Sequence, residues 1–226
     1  KKNNKKNEPD ALIKYPAAKS YSNLTMPESV VNISDYAFEN CQNLTSITIE
    51  SNVENLTALS FVNCNNLENF VVNKKRKVNY YVEDGALISK SNQMLIKFPA
   101  NNDTQQYTIP ENITGIAEYA FENCRKLQAV VITKGIKQIN PNSFVNCTNL
   151  TTFTVSSKND QYKSTGGVLF LKNMTQLIKY PSGLSNLSYK IPSTVNSIAD
   201  YAFDHCHYLQ TIQISRNLAG IGNYAF

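Results

Sequence analysis

The phrase Phe-x-x-Cys-x-x-Leu occurs five times in this chain, with its cysteines at Cys41, Cys64, Cys124, Cys147 and Cys206, and each copy runs into a short alternating apolar segment. Such regularity points to a solenoid. Cys41 and Cys64 are 23 residues apart, as are Cys124 and Cys147, while the intervening jumps are 60 and 59. Pro27, Pro110 and Pro192 follow one another at 83 and 82 residues, and so do Pro16, Pro99 and Pro181. The chain is therefore a super-repeat of 82 to 83 residues. A fixed period of this kind marks stacked units, each burying its apolar face only against its neighbours.

Three modules make up the super-repeat. The first runs from Pro27 to Ile49 and recurs at Pro110 to Ile132 and Pro192 to Ile214; its apolar spacing changes from three or four residues to two. That change predicts a helical turn or irregular arc feeding a strand. The second module, Val53 to Val72 and Ile136 to Val155, repeats the plan without the proline. In the third, Tyr80 to Pro99 and Tyr162 to Pro181, two apolar runs flank a polar turn, Ser89 to Gln93 in the first copy. This predicts a β-hairpin, expected to project from the stack. Strands are expected at 24–26, 44–49, 67–72, 107–109, 127–132, 150–155, 189–191 and 209–214, paired in parallel as one continuous curved sheet. Leu44, Ile47 and Ile49 then face inward, and Ser46, Thr48 and Glu50 face solvent.

With 42% apolar and 17% charged residues the chain can bury a core. Residues 1–10 lack apolar anchors and are expected to form a disordered tail, and 11–226 a single domain. The net charge of +5 comes partly from the four lysines of that tail and does not call for nucleic acid. No run approaches the roughly 18 apolar residues of a membrane helix, and none resembles a secretion signal. Because LIKYP at Leu12 to Pro16 matches Leu95 to Pro99 and Leu177 to Pro181, and GNYAF at Gly222 to Phe226 matches Ala199 to Phe203, the sequence opens and stops partway through a repeat. A longer parent protein is expected.

The pattern Ile-Pro-x-x-Val-x-x-Ile-x-x-Tyr-Ala-Phe-x-x-Cys-x-x-Leu-x-x-Ile-x-Ile, nearly complete in Met26 to Ile49, Ile109 to Ile132 and Ile191 to Ile214, resembles the leucine-rich repeat superfamily and its BspA-like subclass of about 23 residues per repeat. Several Phe-x-Asn-Cys copies carry Asn where the subclass often has Gly or Ser. The resemblance implies an α/β solenoid: a leucine-rich repeat right-handed superhelix with one parallel curved sheet and β-hairpin insertions near 80–99 and 162–181. It also implies a non-catalytic protein, secreted or displayed on the surface of bacteria or parasitic protozoa. Such a protein would be adhesin-like, with host or partner proteins or glycans as ligands, host matrix included. A structural spacer that self-associates through open solenoid ends is the alternative.

The candidate ligand face consists of the outward strand residues Ser46, Thr48, Asn69, Val71, Ala129, Val131, Thr152, Thr154, Thr211 and Gln213. Broad, shallow and weakly charged, it suits a macromolecule better than a small molecule. The run Lys74, Lys75, Arg76, Lys77 has the counterpart SKND in the next super-repeat, so the repeat does not require it; it is a candidate patch for an anionic partner. Most of Tyr80, Tyr81, Phe98, Tyr162 and Tyr180 recur between copies, which suggests that the recurring ones pack the hairpins, though any left exposed would anchor an interface. The cysteines, all at one repeat position, suggest a file of buried thiols, with pairing of adjacent coils as the lesser alternative. His205-Cys206-His207 diverges in direction and is not expected to hold a metal. No nucleophile, metal or phosphate motif is present, so neither catalysis nor a cofactor is expected. Asn-x-Ser/Thr triplets, at Asn23 and Asn146 among others, permit glycosylation only in a eukaryotic secretory host.

Overall fold

The computed structural model describes residues 10–73 and 78–226, and in it each alternating run ends in a short strand. Asn23–Thr25, Ser46–Ile49 and Asn69–Val72 form a first parallel ladder. Gln106–Thr108, Ala129–Ile132 and Thr152–Val155 form a second, and Ser188–Lys190 with Thr211–Gln213 a third. Registers step by one coil, so Leu24, Ile47 and Phe70 stand in one inward row and Tyr107, Val130 and Phe153 in another. β-branched and aromatic side chains suit such half-buried strands.

The expected single sheet is interrupted, and the hairpins interrupt it. Tyr80–Glu83, Ala86–Ser89 and Met94–Lys97 pair antiparallel, and the last then pairs in parallel with Gly115–Ile116, itself beside Gln138–Ile139. The second copy repeats this with Tyr162–Thr165, Val168–Leu171, Gln176–Lys179, Ser197–Ile198 and Gly220–Ile221. Two successive positive-φ residues make the first turn, Asp84 (47°) with Gly85 (85°) and Gly166 (57°) with Gly167 (80°). Such two-residue turns match the right-handed strand twist, so the Asp-Gly pair adds a strand that the apolar runs alone do not announce.

Nor do the hairpins project. Ala86, Leu87 and Ile88 are buried in succession, because an apolar run without alternation has no face to give to water. Leu87 and Ile96 pack with the Met26-to-Phe70 core, while Ala86, Ile88, Leu95 and Phe98 pack with the middle core. Leu169 and Ile178 likewise join the middle core, and Val168, Phe170 and Leu177 the C-terminal one. Each hairpin is a plate between two compartments.

The α component of the expected class is also corrected. Among the described residues there are two single-turn 3-10 segments, Ala58–Phe61 and Pro141–Phe144, and no α-helix. Left-handed residues cut the arcs short: Tyr36 (φ 61°) and Asn40 (φ 62°), with Tyr119, Asn123, Tyr201 and His205 in the same positions. Asn tolerates this region better than other non-glycine residues, which accounts for Asn40, Asn63, Asn123 and Asn146 before the cysteines.

Aromatic rings form files of three. Phe38 and Phe61 stack at 5.6 Å with Tyr15 tilted against Phe38 at the same distance, while Phe98, Phe121 and Phe144 stack at 5.4 and 5.0 Å and Tyr180, Phe203 and Phe226 at 5.3 and 5.2 Å. The aromatic of each Leu-Ile-Lys-aromatic-Pro segment thus occupies the ring position of a full coil. Coils also approach closely where Gly135 lies, since a Cβ there would stand 2.3 Å from the Glu111 carbonyl oxygen. Gly135→Ala is expected to lower stability by about 1–3 kcal/mol through overpacking, read from its urea midpoint.

Candidate functional site

Alternation along the ladder strands sends one residue in two away from the core, and the parallel register aligns these residues into two rows. Asn23, Ser46 and Asn69 form one row of the first ladder, and Thr25, Thr48 and Val71 the other. The second ladder continues with Gln106, Ala129 and Thr152 beside Thr108, Val131 and Thr154. The third adds Ser188 and Thr211 beside Lys190 and Gln213. All ten strand residues expected outward therefore lie on these rows. The rows are short and neutral apart from Lys190, and Ser46 Oγ lies 2.6 Å from Asn69 Oδ1 across one rung. Val71, 46% exposed, is their most open large apolar residue.

Asn23, Thr25, Gln106, Thr108, Ser188 and Lys190 also belong to the rows but escaped the sequence reading. The first strand of each ladder begins one residue earlier than expected, and each of these residues flanks a single inward side chain: Leu24, Tyr107 or Tyr189. Three residues show too little alternation to fix where a strand starts or which of its side chains face out. The placing of Glu50 is corrected as well, since it is 5% exposed and its carboxylate receives the Asn73 amide at 3.3 Å. The run Lys74 to Lys77 lies outside the described residues.

Hairpin aromatics are mostly structural. Tyr80 Oη donates to the Glu54 carbonyl at 3.0 Å and accepts from the Leu56 N–H at 3.0 Å; Tyr162 Oη accepts from the Ile139 N–H at 2.9 Å. Phe98 and Tyr180 are buried. Tyr81 alone is half-open, its hydroxyl accepting from Asn112 Nδ2 at 3.0 Å.

The five cysteines are free thiols. Cys64 and Cys147 donate to the Phe38 and Phe121 carbonyls, both at 3.0 Å, and burial pushes each from an ordinary 9.0 up to about 12. A thiol so far from ionising is no nucleophile at neutral pH. His205 Nδ1 lies 2.8 Å from Asp204 Oδ1, and among the described residues no group of three His, Cys, Asp or Glu is placed to hold a metal.

A buried ion pair beside each hairpin was not anticipated. Lys97 Nζ lies 3.0 Å from Glu122 Oε2 and donates to the Tyr119 carbonyl at 2.8 Å, with side chains 2% and 8% exposed. Glu122 also accepts from the backbone N–H of Asn63, a residue of the preceding super-repeat, at 3.3 Å. Lys179 repeats the arrangement with the Tyr201 carbonyl at 2.6 Å and Asp204 at 3.9 Å, and Asp204 accepts from the Asn146 N–H at 2.9 Å. Burial lowers the Lys179 ammonium below its usual value. The other lysine ion pairs among the described residues are exposed; Lys137 holds Asp160, and Lys134 holds Glu111, below the ordinary carboxylate range through hydrogen bonding.

Among solved structures, the fold is similar to a leucine-rich repeat protein from Eubacterium ventriosum (24% identity, TM-score 0.64, covering 96% of this chain and 56% of that one). It is also similar to the pneumococcal vaccine antigen PcpA (21%, 0.55, 96% and 61%) and to a leucine rich cell surface protein from Faecalibacterium prausnitzii (24%, 0.52, 91% and 57%). The chain thus spans less than two thirds of each of these proteins. Comparison with curated protein sequences gives no match. The family pattern described as BspA type leucine rich repeat region matches in six copies over residues 17–107, 96–190 and 180–226. Shared repeat, stacked parallel coils and matching family pattern together make this chain a member of the BspA-type leucine-rich repeat family.

Proposed function

We propose that the chain is a non-catalytic binding module, secreted or displayed at a cell surface, that engages macromolecular partners through the outward rows of its ladders. The observation that carries this reading is the two in-register rows, which offer short, neutral side chains over eight strands with almost no charge to desolvate. Solenoids present extended faces of this kind to proteins. Family membership supports the reading, as do structural relatives described as a vaccine antigen and a cell surface protein. In this reading residues 11–226 form one domain whose coils wind right-handed, as about 98% of parallel crossovers do. The ladders then line its concave side, and host proteins or glycans are the partners. Lys74 to Lys77 supply a second, anionic-partner patch.

The test screens the purified chain against matrix proteins, mucins and sulfated glycans. A triple variant, Thr48→Glu, Thr154→Glu and Thr211→Glu, is expected to weaken the captured interaction at least about tenfold, or 1.4 kcal/mol, with an unchanged circular dichroism spectrum. Charge reversal at Lys74 to Lys77 should weaken only sulfated ligands. Full retention of binding by both variants would remove both surfaces.

A further inference from the structure

We infer that the first hairpin carries a saccharide site for a sugar unit bearing a carboxylate or sulfate, built from residues other than those of the ladder rows. A cleft of about 460 Å³ opens there, lined by Tyr81, Ser89, Lys90, Gln93 and Asn112. Three elements build it: the strand Tyr80–Glu83, the turn between Ala86–Ser89 and Met94–Lys97, and the loop before Gly115. These walls are tied together, since the Thr114 N–H donates to the Gln93 carbonyl at 2.8 Å and Thr114 Oγ1 to the Asn92 carbonyl at 3.2 Å. Lys90 is pinned by its N–H to the Asn79 carbonyl at 2.9 Å. Gln93 is held at φ 53°, a region where a non-glycine side chain is strained.

The chemistry of the lining is that of carbohydrate recognition. Tyr81 offers a half-open ring, and its hydroxyl is oriented by Asn112 Nδ2 at 3.0 Å, which leaves the Asn112 carbonyl oxygen for a ligand hydroxyl. Lys90 and Gln93 are exposed, and no side-chain partner holds either among the described residues. An aromatic face covers sugar C–H groups, amides bridge neighbouring hydroxyls, and an unpaired ammonium selects an anionic substituent. The repeat does not demand this set. In the second super-repeat the positions of Tyr81, Ser89, Gln93 and Asn112 hold Lys163, Leu171, Thr175 and Thr194, so the ring and its orienting amide belong to the first hairpin alone.

Calorimetric titration with three tetrasaccharides tests the site: hyaluronan and chondroitin sulfate as anionic probes and chitotetraose as the neutral one. At least one anionic probe is expected to bind, with the neutral probe at least about tenfold weaker. Tyr81→Ala and Lys90→Glu should each weaken that probe by about tenfold or more, while Lys163→Ala and Lys172→Glu on the second hairpin leave it unchanged. Should Tyr81→Ala perturb the fold, Lys90→Glu and Gln93→Ala, both at exposed positions, decide the matter. The inference is overturned if neither anionic probe binds at about 10 mM, if chitotetraose binds as tightly, or if the first-hairpin variants retain full affinity. The ladder-row triple variant should bind the probe normally, which separates failure here from failure of the macromolecular reading.

Discussion

Lys97→Met is expected to lower the unfolding free energy by about 3–5 kcal/mol, because it strands a buried carboxylate. Glu122 is 8% exposed and loses its ammonium partner at 3.0 Å, keeping only the Asn63 N–H at 3.3 Å. The Tyr119 carbonyl loses its donor at the same time. The chain supplies its own control, for Lys14 repeats the arrangement on Glu39 and the Tyr36 carbonyl, both at 2.9 Å, with side chains 51% and 37% exposed. Lys14→Met should therefore cost no more than about 1 kcal/mol, the range of a solvated pair. Urea midpoints of the two variants measure the difference. Equal losses would mean that the carbonyl contact, common to both, matters and that burial of the charges does not.

Replacing both partners separates attraction from desolvation. Lys97→Met with Glu122→Leu removes both buried charges and is expected to recover most of the single-variant loss, as buried pairs replaced by apolar groups often do. What it should not recover is the acceptor for the Asn63 N–H, an unsatisfied donor worth about 1–3 kcal/mol. That residual identifies what the pair does in this fold. The carboxylates of Glu122 and Asp204 hold Asn63 and Asn146 of the preceding super-repeat across the inserted hairpin, where ladder hydrogen bonds are missing.

Much of this architecture could be read from the residues, because period and alternation report directly on which side chains stack. The cysteines, the module-one phenylalanines and the inward isoleucines all lie where the 23-residue spacing puts them. The hairpins were misread for a specific reason: a continuous apolar run such as Ala86 to Ile88 says that both faces are buried, but not against what. Only the three-dimensional path shows it wedged between two cores. The Lys97–Glu122 pair is 25 residues apart in sequence, and Lys and Glu ordinarily mark solvent, so nothing local flagged it. The outward rows were legible in the strands that follow a Phe-x-x-Cys-x-x-Leu phrase and lost at the three-residue strand that starts each ladder. The cleft at Tyr81 is not legible from the repeat, because Tyr81, Gln93 and Asn112 depart from it, their counterparts being Lys163, Thr175 and Thr194.

Raising the pH above about 9 should unfold the chain through its thiols. Cys64 and Cys147 stay neutral in the fold to about pH 12 but titrate at about 9 when exposed, so the folded state holds more protons throughout that window. Their contribution is complete below pH 9 and is lost as the pH climbs towards 12. The slope is about 1.4 kcal/mol per pH unit for each thiol, roughly 3 for the two together. Cys124, buried and likewise raised well above its ordinary value by desolvation, adds to it in the same direction. Lys179 acts oppositely, since its lowered ammonium makes stability rise towards its ordinary value of 10.5, but one lysine does not balance several thiols. If its total stability lies in the lower half of the usual range of about 5–15 kcal/mol, the chain should unfold between about pH 10 and 12. Circular dichroism against pH locates the midpoint, and iodoacetamide labelling should rise with it. Cys64→Ala with Cys147→Ala, though less stable at pH 7, should lose stability above pH 9 with a slope shallower by about 3 kcal/mol per unit. An unchanged slope in that variant would show that other groups, the buried tyrosines foremost, set the alkaline limit.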